Sequence, residues 1–466
     1  MQPLESKRQI LIDQLTGPDG FFPVEMQDVR GHQVPALINR KRSLRDFVEA
    51  SAAHGDAEFL VLGDRRITHE GFIDLVAAEA AALSADHEIA RGDRVAILAA
   101  NSPEWVIAYF ALVSMGAVVC LYNGWWTPDE IRHATELTSP KVILGDEKRL
   151  ARVPSGLTVA KVDMIAERDR LQREVGQHQL PNVDIDEDDA CSIFFTSGTT
   201  GRAKGAVVSH RGLVGFVEVQ MLNGALKFMT QTAHNKAAGE PPPERPTTKP
   251  RVLMTSPLFH VSGLSGSTLI NMNVGGTLVF REGRFDPEEC FALIEKERIT
   301  AWTLIGSMGP RVVDHPRLAD HDLSSLTNVG FGGAPASPDL RECAGVPRCA
   351  RGAARAAPAG LRASSLRRRD RPSPPPWPVV GPGGRFPHPE ASNNHLRLTG
   401  PPGAGPAPTG APEPGTQGCL GHPSRLDEAN RLMFRRWGAS SRRYALAGCL
   451  ILARGLLPSR RREGRR

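Results

Sequence analysis

The amino-acid sequence changes character abruptly near residue 340, and that break limits what can fold. Residues 341–466 hold 23 Arg, no Lys, 7 acidic residues and 18 of the 38 prolines, a net charge of +16. Residues 1–340 hold 34 basic and 44 acidic residues, a net of −10. The whole-chain charge of +6 therefore describes neither part and says little about a polyanionic partner. Pro374-Pro-Pro376, Pro401-Pro402 and the Ala/Gly/Pro run to Pro414 interrupt both helix and strand. Low apolar content with much like charge leaves too little burial to offset ordering entropy. The core is expected within residues 1–340, with 341–466 a low-complexity, disordered, basic tail.

The body has the composition of an ordinary globular protein. The whole chain is 40% hydrophobic and 23% charged, which excludes a uniformly disordered chain and a multi-span membrane protein. Its seven cysteines form no CxxC pair, which argues against a zinc module or a disulfide scaffold and fits a cytoplasmic location. Met1 to Ile10 are charged and no apolar stretch follows, so no secretory signal is expected. Trp105 to Tyr122 is the longest apolar run. Ser102-Pro103 reads as a helix cap with proline at the first position, and Gly116 separates a helix from a Val-Val-Cys-Leu-Tyr strand. A buried helix–strand unit is expected there, with no transmembrane span.

The remaining pattern alternates helix and strand. Residues 43–54 and 70–86 place apolar side chains at helical spacing, while Asp93–Ala99, Lys141–Leu144 and Ala301–Ile305 read as strands. Thr127-Pro-Asp-Glu130 and Asp286-Pro-Glu-Glu289 both read as capping boxes opening helices. This βαβα rhythm predicts an α/β fold with mostly parallel sheets. Residues 223–250 are polar, end in Pro-Pro-Pro-Glu-Arg-Pro and read as a long surface loop.

One segment carries chemistry: Cys191-Ser-Ile-Phe-Phe-Thr-Ser-Gly-Thr-Thr-Gly-Arg-Ala-Lys-Gly-Ala-Val-Val-Ser-His210. It reads as a strand, a small-residue loop, a lysine and a second strand. Gly198, Gly201 and Gly205 permit unusual backbone angles. The backbone and hydroxyls of Thr196, Ser197, Thr199 and Thr200 can donate to a phosphate, and Lys204 can supply positive charge. It is not a Walker A loop, because Ala203 and Gly205 flank the lysine and a strand follows it.

That string resembles the signature loop of the AMP-binding, adenylate-forming superfamily, with Ala203 in place of the usual proline. Two further blocks are similar in order and spacing. Pro257-Leu-Phe-His-Val-Ser-Gly-Leu264 resembles the block whose aromatic–histidine pair borders the acyl site, and Phe331-Gly-Gly-Ala-Pro335 resembles the adenine-packing loop. Asn101-Ser-Pro-Glu-Trp105 and Gly116-Ala117 fit the usual N-terminal helix. The resemblance covers roughly 40–340 and is closest to acyl-coenzyme A synthetases, fatty-acid–CoA ligases. It implies stacked, mostly parallel sheets flanked by helices, and the substrates ATP, coenzyme A and a small carboxylic acid, with Mg2+. It implies that Thr196, Ser197, Gly198, Thr199, Thr200, Gly201 and Lys204 hold phosphate. It also implies that Gly332, Gly333, Ala334 and Pro335 line adenine, and that Thr196, Lys204 and His260 act at the reacting centre, His260 through shape and hydrogen bonding. No metal ligand is identified, and oligomeric state is not set.

The family pattern next requires Tyr-Gly-x-Thr-Glu, a ribose-binding Asp and a C-terminal domain with a catalytic lysine. None follows Asp339, so residues 1–340 read as a truncated adenylation domain. An activity lost with those groups is expected, along with exposed sheet edges that favour aggregation. Two other readings stand beside the enzyme: a non-catalytic nucleotide-binding remnant, and a non-specific polyanion binder using Arg367-Arg-Arg369 and Arg460-Arg-Arg462. No specific nucleic-acid partner is expected. The tail is either a genuine basic appendage or the product of a reading-frame change near residues 340–346. The abrupt switch to Arg, Pro, Ala and Gly without Lys favours the latter. Translating the coding DNA beyond residue 340 in the other two frames should then yield Tyr-Gly-x-Thr-Glu and a lysine-bearing domain. If neither frame does, the frame-change reading fails.

Overall fold

A computed structural model describes residues 4–196, 202–244 and 247–332. All of them fall in the first of the two units into which the chain divides, Met1–Ala356. The expectation of a disordered tail concerns residues 341–466, which lie outside the described residues.

Fourteen strands occur among the described residues. They are β1 (Val24–Val29), β2 (His32–Leu37), β3 (Glu58–Leu62), β4 (Arg65–Thr68), β5 (Arg94–Leu98), β6 (Val118–Leu121) and β7 (Val142–Gly145), then β8 (Ala160–Asp163), β9 (Ala190–Thr196), β10 (Lys204–Ser209), β11 (Arg251–Leu253), β12 (Thr277–Phe280), β13 (Ala301–Ile305) and β14 (Asn328–Gly332). β1 and β2 form an antiparallel ribbon. The others form two six-stranded sheets, β10-β9-β6-β5-β7-β8 and β14-β13-β11-β12-β3-β4. Each sheet is parallel except for one antiparallel edge pair, β9/β10 in the first and β3/β4 in the second. The strand runs are fully buried in β6, β7 and β12, as parallel sheets covered on both faces require.

Helices His69–His87 and Pro103–Ser114 pack between the two sheets. All twelve residues of the second are buried, because apolar side chains surround the whole helix. Ser102 caps it by accepting from the Trp105 N–H at 3.2 Å, and Pro103 opens it. A chain of rings crosses the core. Phe59 on β3 meets Phe72 edge-on at 4.9 Å, Phe72 meets Phe110 at 5.6 Å, and Phe110 meets Tyr109 at 5.2 Å. The Tyr109 hydroxyl then hydrogen-bonds Ser192 Oγ on β9 at 2.9 Å. Burying each such ring stabilises the fold by about 1.5–3 kcal/mol, and each edge-to-face contact adds about 0.5–1.5 kcal/mol. Among the described residues, no helix is long and apolar enough to cross a membrane.

The Thr127–Glu130 capping box is present in both directions. At Asp286 only half of the expected box forms: Asp286 accepts from the Glu288 N–H at 2.9 Å, while Glu289 pairs with Arg281. A second expectation is overturned. Most of residues 223–250, read as a loop, belong to the 29-residue helix His210–Ala238, which ends on left-handed Gly239. Leu222 and Leu226, four residues apart, pack on Leu15 of the helix Leu4–Thr16. The first turns of His210–Ala238 pack Leu213, Val214 and Val217 into the main core, and Leu15 covers the next apolar pair. The irregular stretch is confined to the residues after Gly239.

One core group departs from ordinary titration. Glu79 on the helix His69–His87 is buried, and desolvation, reinforced by Glu167 and opposed by Arg170, raises its carboxyl to about 7. The native state therefore holds this proton to higher pH than the unfolded chain, and stability falls as pH rises through roughly 4.5 to 7. Glu79→Gln should melt at a higher temperature than wild type at pH 8, by up to about 3 kcal/mol in stability, with the gain shrinking toward pH 4. A melting-temperature difference independent of pH would contradict the assignment.

Candidate functional site

β9 and β10 build the first half of the site. Thr196, at the carboxyl end of β9, lies directly opposite Lys204 in the antiparallel ladder. Such strand ends are where open α/β sheets bind ligands. Thr196 is exposed and Lys204 half-buried. Ser197, Gly198, Thr199, Thr200 and Gly201 lie outside the described residues. Gly205 belongs to β10 rather than the loop, and its φ is not positive. It is small for another reason: a Cβ there would meet Ile193 Cγ2 at 2.8 Å.

Both feet of the loop are fixed. Phe195 meets Trp126 edge-on at 5.0 Å and Tyr122 at 5.6 Å. On the return side, His133 Nε2 donates to the Ala203 carbonyl at 3.0 Å. At the far end of the same string, His210 is fully buried, its Nδ1 accepting from the Leu44 N–H at 3.0 Å. Burial pushes its pKa down to about 4, so this imidazole is a neutral structural group.

The second half is the segment after β11. Asn101, at the end of β5 in the other sheet, clips it with a bidentate side chain. Its Nδ2 donates to the Ser256 carbonyl at 2.7 Å and its Oδ1 accepts from the Leu258 N–H at 2.9 Å. From the opposite side, Trp302 Nε1 donates to Thr255 Oγ1 at 3.0 Å. Gly263 lets the chain double back, since a Cβ there would lie 2.1 Å from the Pro257 carbonyl oxygen. His260 is exposed at this bend, with Nδ1 accepting from the Ser262 N–H at 3.3 Å. Nδ1 is thus the unprotonated nitrogen and Nε2 carries the proton. Desolvation lowers its pKa below the usual histidine value, so the ring is neutral near pH 7.

Sequence reasoning missed the side chain that joins the halves. Trp125 is 67% exposed yet meets Phe259 edge-on at 5.4 Å, beside His260. Its turn is held by Arg149 Nε and Arg152 Nη2, which donate to the Gly124 carbonyl at 3.1 and 2.6 Å, and by Arg152 Nη1 donating to Trp126 at 2.9 Å. The neighbouring Trp126 packs on Phe195, so one turn touches both the loop foot and the histidine wall. A lone tryptophan pair in a turn has no periodic signal; only its placement after β6 hints at a role.

Thr196 and Lys204 are therefore brought together, and His260 is linked to them through Trp125 and Trp126. Gly332 ends β14 in the second sheet, its carbonyl accepting from the Gly306 N–H at 3.0 Å, and β13 lies between it and β11. Gly333, Ala334 and Pro335 lie outside the described residues. Among the described residues, no three His, Cys, Asp or Glu side chains converge to hold a metal ion. The Mg2+ implied by the resemblance thus has no such ligand set there.

The family of AMP-binding enzymes matches residues 47–349. 4-coumarate–CoA ligase 2 of Nicotiana tabacum is 26% identical over 258 residues, 54% of this chain and 44% of that protein. 4-coumarate–CoA ligase-like 5 of Oryza sativa subsp. japonica is 30% identical over 278 residues, 59% of this chain and 49% of that protein. A feruloyl-CoA synthase of Amycolatopsis sp is 29% identical over 260 residues, 53% and 46% of the two chains. The chain spans about half the length of these curated relatives. The inhibitor-bound N-terminal domain of FACL13 from Mycobacterium tuberculosis superposes with a TM-score of 0.52 at 23% identity, covering 65% of this chain and 72% of that one. This likeness carries the same α/β architecture of stacked parallel sheets flanked by helices.

Proposed function

The chain belongs to the AMP-binding enzyme family, and from that premise we propose that its lineage reaction joins a carboxylic acid to coenzyme A at the expense of ATP. The carboxylate attacks the α-phosphate, forming acyl-AMP and releasing pyrophosphate; the coenzyme A thiol then displaces AMP. Charge accumulates on phosphoryl oxygens, so catalysis rests on positioned donors and cations. The observation that carries this reading is the antiparallel β9/β10 pair, which sets Thr196 opposite Lys204. Thr196 to Gly201 and Lys204 would hold the β- and γ-phosphates, and Gly332 to Pro335 would line adenine. Neutral His260 would border the acyl group as a hydrogen-bond donor from Nε2.

Mg2+ would enter with the nucleotide. Against the fatty acid that the resemblance implies, the Trp125–Phe259 pair favours a flat aryl acid, in line with the coumarate and feruloyl names of the relatives. Buried free thiols at Cys120, Cys191 and Cys290 support a reducing, cytoplasmic setting.

Turnover is a separate matter. Residues 341–466 supply neither the Tyr-Gly-x-Thr-Glu block nor a lysine. Removing one preorganised donor commonly costs about 2.7–4 kcal/mol of barrier, and several are missing together. Calorimetric titration of the folded chain with MgATP should show binding that Lys204→Ala weakens about tenfold or more. Pyrophosphate–ATP exchange driven by cinnamate or decanoate should stay at background. Absence of MgATP binding would sink the nucleotide role, and acid-dependent exchange above background would sink the proposed loss of turnover.

A further inference from the structure

We propose that His133 is a positioning residue for Lys204, acting through the peptide that precedes it; the inference rests on the phosphate-holding role of the hairpin. The Nε2–H of His133 donates to the Ala203 carbonyl at 3.0 Å, across 70 residues of sequence. Ala203 and Lys204 share one planar peptide group. Fixing the Ala203 oxygen orients that plane, and with it the Lys204 N–H and the start of its side chain. The ladder partner Thr196 constrains the same lysine from the other strand. The lysine is thereby held from two directions at the point where the loop rejoins the sheet.

The scaffold that presents His133 is rigid for identifiable reasons. Its helix Pro128–Thr138 opens with the reciprocal Thr127–Glu130 cap, whose Thr127 N–H donates to Glu130 at 2.8 Å. Ile131 and Ala134, the helix's inward face, are fully buried in a cluster that also contains Tyr122, Trp126 and Ile193. Phe195 and Ala203 pack against the same cluster. Phe195, Ala203 and the helix that bears His133 thus share one apolar seat, so the imidazole cannot drift independently of Ala203. A carbonyl can only accept, so the contact requires a proton on Nε2. His133 sets where a cation is presented.

The test separates a hydrogen bond from simple packing. His133→Phe keeps a ring and loses the donor, while His133→Gln keeps an N–H donor on an unbranched chain. MgATP affinity of the full chain is measured by calorimetry beside Lys204→Ala, with thermal melting of each variant. His133→Phe should weaken MgATP roughly three- to tenfold, the size expected for one uncharged hydrogen bond, and His133→Gln should recover to within about twofold of wild type. His133→Leu serves as the donor-free variant if the phenylalanine form does not fold. Folded donor-free variants that bind as wild type overturn the inference, as does a folded His133→Gln no better than His133→Phe. If Lys204→Ala leaves MgATP binding unchanged, the phosphate reading of the hairpin fails instead.

Discussion

The complete burial of the helix Pro103–Ser114 between two parallel sheets is the constraint on which the rest of the structure depends. A helix with no polar face can exist in water only if both sides are covered. The strands β3 and β12 cover it from one sheet, and β5, β6 and β9 from the other. The rings from Phe59 to Tyr109 and the Tyr109–Ser192 hydrogen bond then set the distance between the sheets. The edge strand β4 is tied to the same helix by the Arg65–Glu104 ion pair.

The site inherits its geometry from that seam. Its hairpin half stands at the end of β9 in one sheet, and the His260 segment follows β11 in the other. Asn101 leaves β5 just before the buried helix and reaches across to hold that segment at Ser256 and Leu258. The segment that caps the core helix therefore also fixes the segment that bears His260. The Trp125–Trp126 turn closes the remaining gap, with one ring facing Phe195 and the other Phe259. Electrostatics supply what packing leaves undone. Lys204 brings positive charge to the loop, while burial keeps His210 neutral and desolvation does the same for His260.

Much of this was legible in the sequence because it is local. Asp93–Ala99 contains β5, and Thr127 to Glu130 caps its helix, since strand burial and capping need only neighbours in the chain. The later turns of the helix His210–Ala238 were not legible, because Leu222 and Leu226 find their partner in Leu15, near the far end of the chain. Gly205 looked like a loop glycine and is a packing glycine, a distinction made by Ile193 on the neighbouring strand. Trp125 and His133 act through partners 134 and 70 residues away, and no spacing rule connects such pairs. The signature string itself was readable because small residues, hydroxyls and one lysine between two strands satisfy few other purposes.

The claim that both sheets and the helix between them form one cooperative unit is tested most directly by native-state hydrogen exchange with mass spectrometry. Peptides covering β5 and β12 should show the same opening free energy, and Phe110→Leu should lower both together by about 1 kcal/mol. Protection lost in one sheet while the other keeps its value would contradict a shared core, and with it the placement of the candidate site at the seam.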